Sequence, residues 1–167
     1  MAEKTKSLIK SVSKNLIDFL FCLLLTAIVC VYLVQPIIVE GNSMYPNLKS
    51  GDFGVTSKMF KIESINRFDL VVLKIDGKNI IKRVIGLPGE DVNYIDSKLY
   101  IDNVCIEENF TAAKTENLYL HVPEGEFFCL GDNRTDSLDS RYYGTFKAEQ
   151  IIGKDIVILF PFKRTAR

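Results

Sequence analysis

The chain has 167 residues, of which 47% are hydrophobic and 25% charged, and its formal net charge at pH 7 is zero. A chain of this length supports one hydrophobic core, so we expect one globular domain. The balanced charge, without a broad basic face, argues against a nucleic-acid partner, because phosphate binding relies on clustered Lys and Arg.

The first segment, residues 1–15, is basic and has one acidic residue, Glu3, and four lysines, Lys4, Lys6, Lys10 and Lys14. The longest apolar run follows from Leu16 to Val34, with Asp18 as its only charge. At about 1.5 Å per helical residue the run reaches roughly 28 Å, enough to cross a hydrocarbon core of about 30 Å. We therefore predict a transmembrane helix over residues 16–35 that acts as a signal anchor.

A cleavable secretory signal is the alternative interpretation of this pattern. Such signals have an apolar part of about 7–15 residues and an A-x-A-like cleavage site. Here the run is longer, and Gln35-Pro36 closes it. The sequence thus favours an uncleaved, single-pass anchor in the cytoplasmic membrane. The flanking lysines predict that residues 1–15 are cytoplasmic and that residues 36–167 form an extracytoplasmic domain.

The four cysteines fall in two pairs. Cys22 and Cys30 lie inside the predicted anchor and are interpreted as small apolar residues. Cys105 and Cys129 lie in the predicted exported domain, where a disulfide is permitted, but their spacing matches no recognised framework. The sequence leaves a bridge between them open. It contains no C-x-x-C, H-E-x-x-H or clustered His/Cys set, so we predict no metal site.

Residues 36–167 consist of short apolar segments separated by Gly, Asp, Asn and Pro, which predicts a mainly β domain. The predicted strands are PIIVE, DFGVTS, FDLVVLKI, NIIKRVIG, EDVNYI, KLYIDNV, LYLHV, EFFCLG and DIVILFPF. The sequence DGKN at 76–79 predicts a hairpin turn. Residues 107–118 are polar without clear alternation, which predicts a surface loop.

A serine, Ser43, lies in VEGNSMYPNL shortly after the anchor. Ser43 is either part of an ordinary turn that leaves the membrane or a nucleophile held just above the membrane. A nucleophilic serine needs a base, and histidine is the usual one. The one histidine, His121, lies in a strand before a proline, which is more typical of a structural role. The G-x-S-x-G motif of many hydrolases is also absent.

A lysine offers another base. In NIIKRVIG, the period of two places Ile80, Lys82 and Val84 on one strand face. Burial lowers the pKa of a lysine by as much as about 3–5 units, which makes its amine available as a base. Alternatively, Lys82 lies on an edge strand with its charge in water. The pattern alone does not decide between these two interpretations.

A polar stretch, GDNRTDSLDSRYYG at 131–144, separates two predicted β segments. Taken alone, it is more typical of a solvated loop. Asp139 and Arg141 are close enough in sequence for an ion pair, which would stiffen the loop and support a site.

These three stretches, in this order, resemble the type I signal peptidases of peptidase family S26. The similarity starts at VQPIIVEGNSMYPNLKSGD, continues through RFDLVVLK and IIKRVIGLPGE, and ends at GDNRTDSLDSRYYG. The resemblance implies a membrane-anchored Ser/Lys endopeptidase with the β-rich fold shared with self-cleaving SOS repressors. Because the segment between LPGE and VPEGEFF is short, we expect the large extra β-domain of some Gram-negative members to be missing, as in Gram-positive ones.

The resemblance also implies roles for individual residues. Ser43 matches the family's nucleophile and Lys82 its general base. Ser137 matches the hydroxyl that orients the lysine amine, and Asp139 and Arg141 match the supporting pair. By the same similarity, the shallow S1 and S3 pockets for small residues such as Ala would be formed by Ile37, Val39, Met44 and Ile81. These four could equally be simple core positions.

One departure from the family concerns the oxyanion hole. A member with a hydroxyl two residues before the nucleophile uses it as the second donor, and here that position is Gly41. The backbone N–H of Ser43 is the remaining candidate donor.

The expected function is removal of signal peptides with A-x-A-like cleavage sites from translocated preproteins, next to the lipid bilayer and without a cofactor. Two alternatives are an inactive peptidase-like membrane adaptor for pilus or surface-protein assembly and a Ser/Lys protease dedicated to one substrate. The inactive adaptors lack the nucleophile or the base, and both are present here.

Overall fold

The N-terminal part of the molecule is one long helix. The computed structural model describes residues 2–111 and 114–161, with backbone only for residues 2–13 and Cys30. Helix α1 spans Ala2–Ile28 and continues as a π-helix over Val29–Leu33. Within this helical segment, Lys14–Leu33 is long and apolar enough to cross a membrane.

The anchor boundary differs from the predicted residue 35. The first strand begins at Val34, and its backbone pairs Val34 with Ser57 and Gln35 with Thr56. These two residues therefore belong to the β domain, because pairing with a neighbouring strand satisfies their backbone groups.

The remaining described chain is mainly β, which confirms the predicted fold class. One short helix, α2, covers Ser140–Tyr143. The strands are β1 Val34–Ile38, β2 Phe53–Ser57, β3 Leu70–Ile75, β4 Lys78–Gly86, β5 Asp91–Ile95, β6 Lys98–Ile101, β7 Val104–Ile106, β8 Leu118–His121, β9 Glu126–Leu130, β10 Phe146–Lys147 and β11 Ile151–Phe160.

The strands form two antiparallel sheets. The larger sheet has the order β1-β2-β11-β3-β4-β9-β10, and the smaller one has the order β7-β6-β5-β8. In the larger sheet β4 pairs with β3 over Lys78–Arg83, but it pairs with β9 only from Arg83 onward. The first half of β4 is thus left with one edge that no described strand occupies.

Two-residue turns connect the hairpins. Asp76 and Gly77 both have positive φ, as a type I′ turn requires, so the turn predicted at 76–79 is confirmed. Asp102 and Asn103 adopt the same conformation, so the segment KLYIDNV, predicted as one strand, is two strands joined by a turn. Asp and Asn tolerate this conformation better than other non-glycine residues.

Three buried apolar clusters form the core. One lies around Val71, Val84 and Phe127, and a second, around Tyr94 and Phe128, joins the smaller sheet to the larger. The third contains Val39, Met44 and Leu48. This third cluster lies beneath the loop that carries Ser43, so packing fixes the backbone on either side of the serine.

No linker separates the helix from the β domain. The backbone N–H of Lys58 donates to the carbonyl of Leu33 at 2.9 Å, and its Nζ donates to the carbonyl of Val31 at 3.1 Å. These bonds satisfy carbonyls at the helix C-terminus, which lack partners within the helix. Helix α1 therefore passes directly into the edge strand that leads to Ser43.

The disulfide that the sequence left open is not formed. Cys105 lies exposed on β7 of the smaller sheet, whereas Cys129 is buried on β9 of the larger sheet, and both are free.

Candidate active site

Ser43 lies in the loop between β1 and β2. Two hydrogen bonds close the base of this loop: Val39 N–H donates to Asp52 O and Gly51 N–H donates to Val39 O, both at 2.9 Å. Met44 is 2% exposed and Leu48 is fully buried. Because these neighbours are packed into the core, the half-buried Ser43 is held in place rather than left in a free turn.

The side chain of Lys82 reaches this serine from β4. Its Nζ atom lies 2.8 Å from Ser43 Oγ, and the residue is 3% exposed. Ile80 and Val84, on the same strand face, pack in a common apolar cluster, as the alternation predicted. Of the two interpretations of Lys82 left open by the sequence, the structure supports burial and excludes a solvated edge-strand lysine.

Burial changes the protonation of Lys82. Desolvation is the largest effect and lowers its pKa, the Asp139 carboxylate opposes this, and the Arg141 guanidinium adds to it. The net pKa lies below the ordinary value of 10.5. A neutral amine at hydrogen-bond distance from a hydroxyl can accept its proton, which is what general-base catalysis requires.

Asp139 and Arg141 form the predicted ion pair. Arg141 Nε and Nη2 donate to the two carboxylate oxygens of Asp139 at 2.9 and 2.8 Å, and Gly131 N–H donates to Oδ2 at 3.0 Å. Burial alone would raise the pKa of Asp139, but these hydrogen bonds bring it below its ordinary value. The carboxylate is therefore charged and ties the 131–141 loop together.

Ser137 is close to this group, but it makes no hydrogen bond to Lys82. Its Oγ is buried and has no partner of good hydrogen-bond geometry among the described residues, although its proximity helps to lower the pKa of Asp139. Its role in orienting the lysine amine stays a prediction.

Gly131 makes the closest approach between the two loops. A Cβ at this position would lie 2.5 Å from the carbonyl oxygen of Ser43 and 2.3 Å from Ser137 Oγ. The same carbonyl accepts a hydrogen bond from Asn133 N–H at 3.0 Å. The loop that follows β9 thus packs directly on the backbone of Ser43.

Sequence reasoning missed the partner of Arg83. This residue follows Lys82 and points to the opposite strand face, where its Nε and Nη2 donate to Asp132 at 2.8 and 2.7 Å. Asn47 Nδ2 donates to the same carboxylate at 2.7 Å. An arginine next to aliphatic residues in a predicted strand was the available signal, because a buried charge needs a partner.

Apolar residues line a cleft of about 290 Å³ that contains Ser43 and Lys82. All four predicted pocket residues lie there: Ile37, Val39, Met44 and Ile81. Val39 and Met44 are also core residues, whereas Ile37 and Ile81 are half-buried. The two interpretations of these positions, pocket and core, are therefore compatible.

The remaining predicted site residues lie as follows. Gly41 also lines the cleft, and its φ of +82° is a conformation that favours glycine over a residue with a side-chain donor. His121 lies on β8 of the other sheet, where its Nδ1 lies 2.7 Å from Asp91. Among the described residues no group of three or more His, Cys, Asp or Glu side chains is placed to hold a metal ion.

Comparisons with known proteins identify the family of this chain. The family model described as "Signal peptidase, peptidase S26" matches residues 13–160. Signal peptidase I of Bacillus caldolyticus is 36% identical over 147 residues, which cover 77% of this chain and 81% of that protein. Signal peptidase I of Streptococcus pneumoniae is 33% identical over 190 aligned residues, covering 87% and 92%.

A solved structure shows the same similarity. The crystal structure of a signal peptidase I from Enterococcus faecalis V583 aligns with a TM-score of 0.53 and 36% identity, covering 57% of this chain and 99% of that one. The chain therefore belongs to the signal peptidase I proteins of the peptidase S26 family, which are serine endopeptidases.

Proposed function

We propose that this protein cleaves signal peptides from translocated precursors with Ser43 as its nucleophile and Lys82 as its general base. The observation that carries the proposal is the 2.8 Å contact between Lys82 Nζ and Ser43 Oγ at a lysine that is 3% exposed. Burial lowers the pKa of this amine, so a larger fraction of it is neutral near pH 7 than of a solvated lysine.

The reaction follows from this contact. Neutral Lys82 takes the proton of Ser43 as Oγ attacks the scissile carbonyl, and the ammonium then protonates the departing amine of the mature protein. Lys82, neutral again, deprotonates the water that hydrolyses the acyl-enzyme and releases the signal peptide. The backbone N–H of Ser43 is the donor that we assign to the oxyanion, and no side chain at position 41 can supply a second donor, because that residue is Gly41.

The substrate fits the cleft as an extended strand. Strand β1 is the edge of the larger sheet, and the first half of β4 has an edge that no described strand occupies. Both line the cleft. A peptide lying between them would bond through its main chain, and its alternate side chains would point toward Ile37 and Ile81. We expect small residues at the positions before the cleaved bond, as the resemblance to the signal peptidases implies.

The N-terminal helix places the cleavage reaction next to the membrane. We propose that α1 spans the cytoplasmic membrane with its N-terminus in the cytoplasm and the β domain on the other side, which the lysines before the apolar segment favour. Because β1 continues from the helix without a linker, Ser43 lies near the membrane surface, where translocated precursors emerge. Tethering raises the local concentration of enzyme and substrate.

Variants of the dyad test the proposal. Ser43→Ala and Lys82→Ala should each abolish cleavage of precursors by the full-length protein in detergent or vesicles. Ser50→Ala, on the same loop, and Lys78→Ala, on the same strand, are matched controls with exposed side chains that should retain activity. Full processing by either dyad variant would show that the assignment is wrong.

The substrate range needs a separate measurement. Incubating the enzyme with a mixture of precursors and mapping the new N-termini by mass spectrometry should give many products with small residues before the cut. A single processed precursor would instead favour the protease dedicated to one substrate.

A further inference from the structure

The connection between β7 and β8 packs against the active-site loops. Arg134 Nη2 donates to Glu108 Oε1 at 2.5 Å, and Arg134 Nη1 donates to Thr115 Oγ1 at 2.6 Å. Thr111 Oγ1 donates to the carbonyl of Asp132 at 2.7 Å. We define these connection residues, together with Phe110, as the brace: Glu108, Phe110, Thr111 and Thr115.

Phe110 adds two more contacts. Its carbonyl accepts a hydrogen bond from Asn47 Nδ2 at 2.8 Å, and its ring lies 4.3 Å from the guanidinium carbon of Arg83. Asn47 lies four residues after the nucleophile, and Arg83 directly follows the lysine. The brace therefore touches the chain close to both members of the dyad.

The residues that the brace holds also touch Ser43. Arg134 Nε donates to the carbonyl of Gly131 at 3.0 Å, and Gly131 packs against the carbonyl of Ser43. Asn133, between Asp132 and Arg134, donates its N–H to that same carbonyl. Each brace residue thus reaches the dyad through at most two intervening residues.

Burial restricts the side chains of Arg134 and Glu108 to few conformations. The Arg134 side chain is fully buried and that of Glu108 is 9% exposed, and Tyr94 OH donates to Glu108 at 2.9 Å and accepts from Arg134 at 3.0 Å. Burial by itself would lower the pKa of Arg134, but Tyr94 and Glu108 raise it above its ordinary value. A buried charge with several partners has few alternative positions, because every displacement leaves a polar group unsatisfied.

We propose that the brace positions the Ser43–Lys82 dyad through Asp132 and Arg134, which makes Glu108 and Thr111 positioning residues for peptide-bond cleavage. This inference rests on the function proposed above. The opposing view is that the brace only attaches the smaller sheet to the larger one, in which case its loss would lower stability and leave the chemistry unchanged.

Two conservative variants and one control separate these views. Thr111→Val keeps the side-chain volume and removes the bond to Asp132, and Glu108→Gln keeps the shape and removes the charge opposite Arg134. Glu90→Gln is the control, because Glu90 also pairs with an arginine, Arg67, and makes no hydrogen bond or ion pair with the 131–141 loop among the described residues.

The measurements use the full-length protein in detergent. They are kcat and KM for precursor cleavage, the melting temperature, and the pKa of the Lys82 amine. That pKa is measured by NMR on protein labelled with ¹³C-lysine, and Lys82→Ala identifies the signal of Lys82. Both brace variants should lower kcat by about tenfold to a hundredfold with little change in KM, since misplacing a catalytic group by about 1 Å costs about a hundredfold. The Lys82 titration should move toward higher pH as water gains access. Glu90→Gln should change neither.

Two outcomes would overturn the proposal: kcat and the Lys82 titration unchanged in both brace variants, or the same loss of kcat in Glu90→Gln. If Glu108→Gln fails to fold, the milder Thr111→Val still decides. If the wild-type protein cleaves no precursor, the proposed function fails, and the Lys82 titration still reports whether the brace positions the dyad.

Discussion

Arg83 and Asp132 form an ion pair in which both side chains are completely buried. The pair joins β4 to the loop after β9, one residue beyond Lys82 on one side and one residue beyond Gly131 on the other. Asn47 and the carbonyl of Phe68 complete its hydrogen bonds. The pair thus fixes the position of strand β4, which carries Lys82, relative to the 131–141 loop.

Breaking this pair should be strongly destabilising. Asp132→Ala leaves the Arg83 charge buried without its partner, and we expect a loss of about 3–5 kcal/mol in the free energy of unfolding. Urea denaturation of the full-length protein would measure it. In Glu90→Ala the partner Arg67 is 20% exposed and can be hydrated, so the loss should be about 1 kcal/mol. Equal losses in the two variants would contradict this account.

The pH dependence of cleavage should report the lowered pKa of Lys82. Below that pKa the amine is protonated and cannot accept the proton of Ser43, so kcat/KM should rise with pH through a single group that titrates below 10.5. Initial rates over a broad pH range would measure the curve. A profile without an ionisation below that of a free lysine would argue against a neutral amine as the base.

Arg141 should tune this ionisation. Its positive charge lowers the pKa of Lys82, so Arg141→Met should move the rising limb of the kcat/KM profile to higher pH. Loss of Arg141 also leaves the negative charge of Asp139 uncompensated, and this charge raises the pKa of Lys82 as well. Arg67→Met is the matched control, because Arg67 is paired with Glu90 and neither charge is among those that shift the pKa of Lys82. A limb that stays in place or moves to lower pH would contradict the electrostatic role.

Folding stability should depend on the same group. The folded pKa of Lys82 is below that of the unfolded chain, so between the two values the unfolded state binds more protons and stability rises with pH, by at most about 1.4 kcal/mol per pH unit. The contribution of Lys82 to the free energy of unfolding is therefore fully present near pH 10.5, and it is lost as the pH falls to the pKa of Lys82 in the folded protein. Lys82→Met should lack it, so urea denaturation should show the wild-type protein gaining stability over the variant as pH rises. A difference independent of pH would show that Lys82 titrates normally.

Gly131 should tolerate no side chain. Gly131→Ala places Cβ 2.5 Å from the Ser43 carbonyl, so the loops must separate, and we expect cleavage to fall by about a hundredfold. Adding Ser137→Ala removes the clash with Ser137 Oγ but leaves the clash with the Ser43 carbonyl, so it should not restore activity. Gly125→Ala, where φ is +74° and no atom lies within 4 Å, should cost about 1 kcal/mol of stability and leave kcat intact. Normal cleavage by Gly131→Ala would contradict the close approach.

Local patterns made much of this architecture predictable. An apolar run of helical length, a period of two in NIIKRVIG and the turn residues Asp76-Gly77 each act within a few residues. The apolar N-terminal helix, the β class and the strand face on which Lys82 lies could therefore be predicted from the sequence. Residues 107–111 and 114–117 form a loop with several exposed positions, as predicted, but polarity did not reveal that Glu108 and Thr115 within it are nearly buried. Sequence shows that a side chain is polar but not whether the fold supplies its partner.

The sequence by itself determined which groups are available for chemistry: one serine beside the anchor, one lysine among aliphatic neighbours, and one acidic and basic loop. Only the tertiary structure decided that Lys82 Nζ lies 2.8 Å from Ser43 Oγ and that Asp132 joins Arg83 to Asn47. The reason is physical. The strand pairs β3–β4 and β4–β9 and the packing of Met44 bring Ser43 to Lys82, 39 positions later in the chain, and Asn47 to Asp132, 85 positions later. The burial that lowers the pKa of Lys82 exists only once those elements have packed.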